Sequence, residues 1–328
     1  MSLPSSVDPF EFLQIRLNPD GTLTRNPARF PVSPASSNPD DPIPVLSKDL
    51  PVDDSLGTWF RIFLPRDRLQ AKDREEKLPL VVYHHGGGFI HCSAASSVFH
   101  RFQNALALGI PAVVVSVEYR LAPEHRLPAA YDDAIEALRC IRRTEDEWLI
   151  KQADFSNCYL MGSSAGGNIA LHVGLRVASW SISELGPLRI RGMVLHHTYL
   201  GGEERTDSEL RLVNDDVLPL PVNDLLWQLS LPIGADRDHV YSNLAPDRHP
   251  ELTESLDRIK LLGWRVFVTG GDNDPSIDRQ VALADLLRGK GIVTVCHFSK
   301  GENHGFDIRE PTKTGLIVDN VKKFISGA

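Results

Sequence analysis

Cysteine is scarce. The 328-residue chain carries four, Cys92, Cys140, Cys158 and Cys296, and no two stand at Cys-x-x-Cys spacing. That argues against a zinc knuckle or a disulfide scaffold and leaves buried thiols as the expectation. Positive charge is also in deficit, with 35 Lys and Arg against 43 Asp and Glu and a net charge of -8. Neither nucleic acid nor an acidic membrane surface is therefore an expected partner. No apolar run reaches spanning length and the first residues lack a basic, apolar, small-residue leader pattern, so no membrane span is expected. The expected compartment is the cytoplasm, extending to the nucleus. What remains is an ordinary composition, 42% hydrophobic, in a chain long enough for one large α/β domain with insertions or for two domains.

The segments present alternate. Residues 58–64 read as a half-buried strand because apolar and polar positions take turns, and residues 66–77 as a charged connection. Residues 78–83 are a Val-rich run suited to a strand covered on both faces. A helix at 98–108, a buried strand at 112–117, a helix at 130–141, a strand at 158–161, a helix at 169–177 and a strand at 190–195 follow. The same rhythm resumes late in the chain: strand 265–269, helix 276–288, strand 293–298, helix 312–324. This is the pattern of βαβ units and predicts an α/β fold with a mostly parallel, doubly wound sheet flanked by helices. Two stretches break the rhythm. Residues 1–44, rich in Pro, Ser, Asn and Asp with a short apolar piece at 10–15, form either a mobile arm or a strap. Residues 201–249 hold a short helix at 223–231 and read as an insertion that joins the arm as a helical cap. The expected division is thus 1–44 arm, 45–200 first part of the core, 201–249 cap insertion and 250–328 second part of the core. The Leu and Trp side chains between Leu218 and Leu231 are expected to pack the cap rather than to meet a ligand.

The chemistry gathers around Gly162-Ser163-Ser164-Ala165-Gly166. A strand, a tight turn and a helix with Gly two places either side of Ser164 would push its hydroxyl out above the sheet, which makes Ser164 the candidate nucleophile. The bare string also fits a plain turn; the strand and helix around it favour the reactive reading. After strand 78–83 comes His84-His85-Gly86-Gly87-Gly88-Phe89. Three glycines in a row cost backbone entropy, and their N–H groups can converge on one point to hold negative charge, with the N–H of Ala165 as a further donor. An acid and a histidine follow the serine in chain order, each in a loop after a strand. Asp272, Asp274 and Asp278 compete as the acid, and His304, beside Gly305, is the candidate base. His197, Thr198, Tyr199 and Phe306 are candidates for contacting the substrate. His196-His197 has metal-ligating side chains, but strand neighbours point to opposite faces and are not expected to share an ion. No metal or cofactor is expected.

Taken together, these stretches resemble the plant carboxylesterases of the hormone-sensitive-lipase group within the α/β-hydrolase superfamily. The resemblance runs from Val45-Leu46-Ser47-Lys48-Asp49 onward. Its most specific pieces are His85-Gly86-Gly87-Gly88-Phe89, Tyr119-Arg120-Leu121-Ala122-Pro123-Glu124-His125, Ser164-Ala165-Gly166-Gly167-Asn168, Asp274-Pro275 with Asp278, and His304-Gly305-Phe306. It implies an α/β-hydrolase fold and a serine hydrolase that cleaves small-acyl carboxylic esters, of plant specialised metabolites, without cofactor. It further implies Ser164, Asp274 and His304 as a triad, Gly87, Gly88 and Ala165 as oxyanion donors, and Gly86 as the residue that shapes the loop. Matching Asp274-Pro275 to the family's Asp-Pro pair is what favours Asp274.

Three positions depart from that pattern. Ser163 stands where relatives usually carry Asp or Glu, so an acid near the nucleophile is missing. His84 replaces a more usual apolar or aromatic residue, and His196-His197-Thr198-Tyr199 replaces a stretch that often contains Pro. Some members of the superfamily are dehydratases or cyclases of plant specialised metabolism, and others are gibberellin receptors that keep the serine but lose the histidine. Retention of His304 weighs against the receptor, since a binding pocket needs no base, and does not weigh against the lyases.

Overall fold

The computed structural model describes residues 7–70 and 76–327. Ten strands are numbered in chain order: β1 Ile15–Leu17, β2 Leu23–Arg25, β3 Val45–Asp53, β4 Thr58–Pro65, β5 Leu78–His84, β6 Val113–Val117, β7 Ala153–Ser163, β8 Ile190–His196, β9 Arg265–Gly271 and β10 Val293–Ser299. β1 and β2 form an antiparallel pair of their own, and the other eight make one sheet in the order β10-β9-β8-β7-β5-β6-β4-β3. From β6 through β10 every pairing is parallel, while β4 runs antiparallel to β6 and β3 antiparallel to β4. The chain thus leaves β5 toward β6 and returns on the other side as β7. That reversal opens a crevice at the carboxyl ends of β5 and β7, where open α/β sheets bind ligands.

Period-two alternation explains the two faces. Leu80 and Val82 of β5 point into the larger apolar cluster, together with Ile169 and Leu171 of the helix Ala165–Val177 and Ala134 and Leu138 of the helix Ala129–Arg142. Val81 and Tyr83 point the other way, to Phe102 and Leu106 of the helix Ser97–Gly109 and Val318 and Val321 of the helix Thr314–Ser326. Both faces are covered, as a parallel core requires.

Several expectations are corrected. The segment 58–64 is not half-buried: in β4 every residue but Trp59 is buried. Its polar member Arg61 is only 3% exposed because its guanidinium pairs with Asp49 of β3 at 2.6 Å and donates to the Ser33 carbonyl. The helix after Ser164 begins at Ala165, four residues earlier than its apolar period indicates, and the cap helix begins at Leu220 instead of 223. The helix Glu251–Leu261, buried through Leu252, Leu256 and Ile259, escaped the sequence reading, as did β3 and the β1–β2 pair. Residues 71–75 of the charged connection lie outside the described residues. No helix among the described residues is long and apolar enough to cross a membrane.

Of the two readings of the N-terminal stretch, the described part is a strap. Asp8 caps the helix Pro9–Leu13 by accepting from the N–H groups of Phe10 and Glu11, and that helix packs on the helix Leu220–Ser230. Leu13, Ile15 and Leu23 are buried. Arg25 fastens the strap, donating to the Ile90 and Ala122 carbonyls at 2.6 Å each and pairing with Glu124 at 2.7 Å.

Candidate active site

Ser164 occupies the turn between β7 and the helix Ala165–Val177 with φ 57° and ψ -121°, a conformation that costs a non-glycine residue energy and lifts its side chain clear of the sheet. The turn is held from three sides. Its N–H donates to the His196 carbonyl at 2.9 Å, and its own carbonyl accepts from Tyr199 N–H at 3.0 Å and Asn168 N–H at 3.1 Å. Close backbone contact explains the small neighbours: a Cβ on Gly166 would stand 1.9 Å from the His84 carbonyl oxygen, and one on Gly162 2.0 Å from the carbonyl oxygen of Gly166.

The loops after β9 and β10 deliver the partners. His304 Nε2 lies 2.9 Å from Ser164 Oγ, and His304 Nδ1 lies 2.7 Å from Asp274 Oδ2. A carboxylate only accepts, so Nδ1 carries the proton and Nε2 is left to accept from the serine hydroxyl. Asp274 is fully buried, and its remaining lone pairs accept from Ser276 N–H at 2.8 Å and Gln280 Nε2 at 2.9 Å. Burial alone would raise its carboxyl, but His304 and His197 outweigh that and hold it well below the usual carboxylate range. The rival acids are engaged elsewhere, Asp272 by Gly301 N–H and Asp278 by Ser208 N–H.

Opposite the serine runs the glycine loop. Gly86, Gly87 and Gly88 line the same cavity as Ser164 and His304. The N–H groups of Gly87, Gly88 and Ala165 donate to no acceptor among the described residues, which leaves them free for a developing negative charge. At Gly87 φ is +115° and a Cβ would meet the His91 carbonyl oxygen at 2.2 Å, so the loop can take this path only without a side chain there. Gly86 is constrained more mildly: a Cβ on it would stand 2.9 Å from the Ser163 carbonyl oxygen and 3.2 Å from Ser164 Cβ.

The cavity measures about 300 Å³. Its walls are mostly apolar, with Phe12, Leu13 and Phe30 from the strap, Leu218, Val222 and Leu226 from the insertion, and Val98, Phe99 and Ile308 from the core, and they include the charged side chains of Arg29, Asp216 and Arg309. The assignment of the Leu and Trp residues of the insertion to packing is therefore corrected in part. Trp227 does pack, stacked on Tyr199 at 4.5 Å, whereas Leu218 and Leu226 face the cavity. Among the expected substrate contacts His197 and Tyr199 line the cavity; Thr198 and Phe306 do not. Thr198 is buried beside Gly167, and Phe306 is buried edge-on to His197 at 5.5 Å, behind the cavity wall.

The expectation for His196-His197 fails for a conformational reason. β8 ends at His196, and His197 takes φ 47°, so the two rings turn to the same side with centroids 4.4 Å apart. Both meet Asp307. Donor atoms of His196, His197 and Asp307 lie within 4.8 Å of one another, as do those of His197, Asp274 and His304, so shared proximity is real where opposite faces were expected. Hydrogen bonds and ion pairs knit each set internally. Tyr83 OH donates to Ser163 Oγ at 2.8 Å, Ser163 Oγ lies 2.7 Å from His196 Nδ1, and His196 Nε2 lies 2.9 Å from Asp307 Oδ2. Burial holds His196 below the ordinary histidine value. An acid is therefore present near the nucleophile, one imidazole away from Ser163, in Asp307. Sequence reading missed it; its one signal was an Asp three residues beyond His304.

The model of the α/β-hydrolase fold family matches residues 81–308. The chain is 49% identical over 327 residues to Carboxylesterase 20 of Arabidopsis thaliana, covering 99% of each. It is 39% identical to 3-O-acetylpapaveroxine carboxylesterase CXE1 of Papaver somniferum, over 97% of this chain and 98% of that one. Among solved structures, a hyperthermophilic esterase from the archaeon Pyrobaculum calidifontis superposes with a TM-score of 0.69 at 25% identity, covering 88% of this chain and 85% of that one. With the serine turn, the glycine loop and the mostly parallel sheet in place, the chain belongs to the α/β-hydrolase fold family, among its plant carboxylesterases.

Proposed function

We propose that the protein is a serine carboxylesterase that hydrolyses small-acyl carboxylic esters through an acyl-enzyme on Ser164. The observation that carries this reading is the line from Ser164 Oγ through His304 to Asp274, at 2.9 and 2.7 Å, beneath three unengaged N–H groups. Ser164 Oγ attacks the ester carbonyl carbon while His304 Nε2 takes its proton. The carbonyl oxygen gains the negative charge and is met by the N–H groups of Gly87, Gly88 and Ala165. When the tetrahedral centre collapses, the C–O bond to the alcohol breaks and His304 returns the proton to the leaving oxygen. Water, deprotonated by the same imidazole, then releases the acid and regenerates the serine. Asp274 keeps the ring in the tautomer that accepts at Nε2 and balances its transient charge.

Residues 7–44 and 201–249 act together as the cap over this site. The apolar walls and the cavity of about 300 Å³ favour a short acyl chain with an aromatic or otherwise apolar alcohol. The name of the Papaver somniferum relative specifies an O-acetylated compound, 3-O-acetylpapaveroxine, which supports esters of plant specialised metabolites as the natural class. The test is turnover of p-nitrophenyl acetate and butyrate. Ser164→Ala should lower kcat at least about ten-thousandfold without lowering Tm, and a fluorophosphonate should label Ser164 in the wild type. Near-wild-type turnover by the variant, or label at another residue, overturns the mechanism.

A further inference from the structure

Behind the line from Ser164 to Asp274 stands a side chain that this chemistry does not use. The His197 ring is fully buried, with Nδ1 3.3 Å from Asp274 Oδ2 and Nε2 3.5 Å from Asp307 Oδ1. The second contact is an ion-pair distance rather than a well-formed hydrogen bond, yet neither His197 Nε2 nor Asp307 Oδ1 has any other hydrogen-bond partner among the described residues. Each nitrogen thus faces a group that can only accept. A neutral imidazole has one bare nitrogen, which would point its lone pair at a buried carboxylate; an imidazolium donates on both sides.

We propose that His197 is a positioning residue for ester hydrolysis: held as a cation between Asp274 and Asp307, it offsets part of the charge behind His304 and so sets the pH range in which His304 serves as the base. The inference rests on the esterase reading above. His197 and His304 approach the same oxygen, Asp274 Oδ2, at 3.3 and 2.7 Å, and their ring centroids are 5.4 Å apart. A positive charge there draws on the carboxylate that must stabilise the His304 imidazolium and also repels that imidazolium directly.

The groups facing His197 from each packed element are few. β8 contributes His196, the loop after β9 contributes Asp274, and the segment after β10 contributes His304 and Asp307. β9 itself presents only Gly270, and the Thr269 carbonyl that accepts His197 N–H at 2.7 Å. Burial alone would push the His197 ring down, but the two carboxylates outweigh it and hold the ring up at about 9.

Two measurements test the charge and its consequence separately. In wild-type protein labelled with 15N-histidine, His197, assigned through its contacts with Phe306 and His304, should show protons on both ring nitrogens at pH 7. Asp307→Asn should bring its titration down by about one unit or more. A singly protonated His197 at pH 7 overturns the proposal whether or not any variant folds, and this readout does not depend on activity. In kinetics, His197→Gln should move the acid limb of the kcat/KM profile up by roughly one pH unit, a loss of about tenfold on that limb and much less on the plateau. A merely structural role would lower the rate at every pH and leave the limb where it was, and that result also overturns the proposal.

Discussion

Two His-His pairs end strands of the same sheet, equally buried, and differ in the charge around them. His84-His85, at the end of β5, and His196-His197, at the end of β8, are all fully buried. Around the first pair the partners are carbonyls and rings: His84 Nδ1 donates to Met161 at 3.2 Å, His85 Nδ1 to Gly86 at 2.8 Å, and His85 stacks on Tyr119 at 4.2 Å. Burial pushes these rings down to about 4 and about 3. The nearest acid, Glu118, is 3.8 Å from His85 and is itself pushed up to about 7 by burial. Around the second pair stand two ionised carboxylates, and His197 is held up at about 9. At equal burial the number of carboxylates makes the difference: His197 faces both Asp274 and Asp307, whereas His196, which meets Asp307, is still held below the ordinary histidine value. The glycine loop proposed to receive negative charge offers N–H dipoles beside histidines that burial holds down, while the wall behind His304 carries two carboxylates.

Removing the ionic wall tests the contrast most severely. Asp274→Asn takes away the carboxylate that His304 and His197 share, and kcat should fall about ten-thousandfold. A fall of less than about tenfold in p-nitrophenyl butyrate turnover would mean that charge at the β8–β10 side matters little. On the uncharged side the corresponding change is Gly87→Ala, whose Cβ would collide with the His91 carbonyl. It should cost roughly a hundred- to a thousandfold in kcat by displacing donors, with no movement of the acid limb, because no charge is altered.

The smallest effect is on stability, and it has two signs. His84 and His85 titrate lower in the fold than in the unfolded chain, so as pH falls below about 6.5 the unfolded state binds protons that the fold refuses. Each ring should then cost about 1.4 kcal/mol per pH unit until its own folded value is reached. His197 titrates higher in the fold; its stabilisation is complete below about 6.5 and is lost as pH rises through about 9. Denaturant melts from pH 5 to 10 should show His85→Gln flattening the acid side of the curve and His197→Gln flattening the alkaline side. The reverse assignment would break the comparison.

How far the sequence discloses this depends on whether the signal is local. The serine turn, the glycine loop and the alternation from β5 to β10 were legible because each rests on residues adjacent along the chain. Asp274 was separable from Asp272 and Asp278 only by resemblance; in the structure, hydrogen bonds with Gly301 and Ser208 show why the other two are occupied. The convergence of His196, His197 and Asp307 was not legible, because it depends on one residue leaving the strand with positive φ and on a segment more than a hundred positions later returning beneath it. β4 misled for a related reason: its alternating polarity implied an exposed face, and only pairing with Asp49 allows Arg61 to be buried. The helix Glu251–Leu261 did carry its signal, Leu252, Leu256 and Ile259 at helical spacing, but it directly follows a polar insertion that obscured its start.

Phe12, Leu13 and Phe30 belong to a strap that Arg25 fastens to Glu124, apart from the turn and loops that hold Ser164, Asp274 and His304. On the proposed function, part of what would select the ester is thereby written in a stretch apart from the residues that would cleave it. On that reading, exchange of Phe12 or Phe30 would reshape the cavity while leaving Ser164, Asp274 and His304 in place.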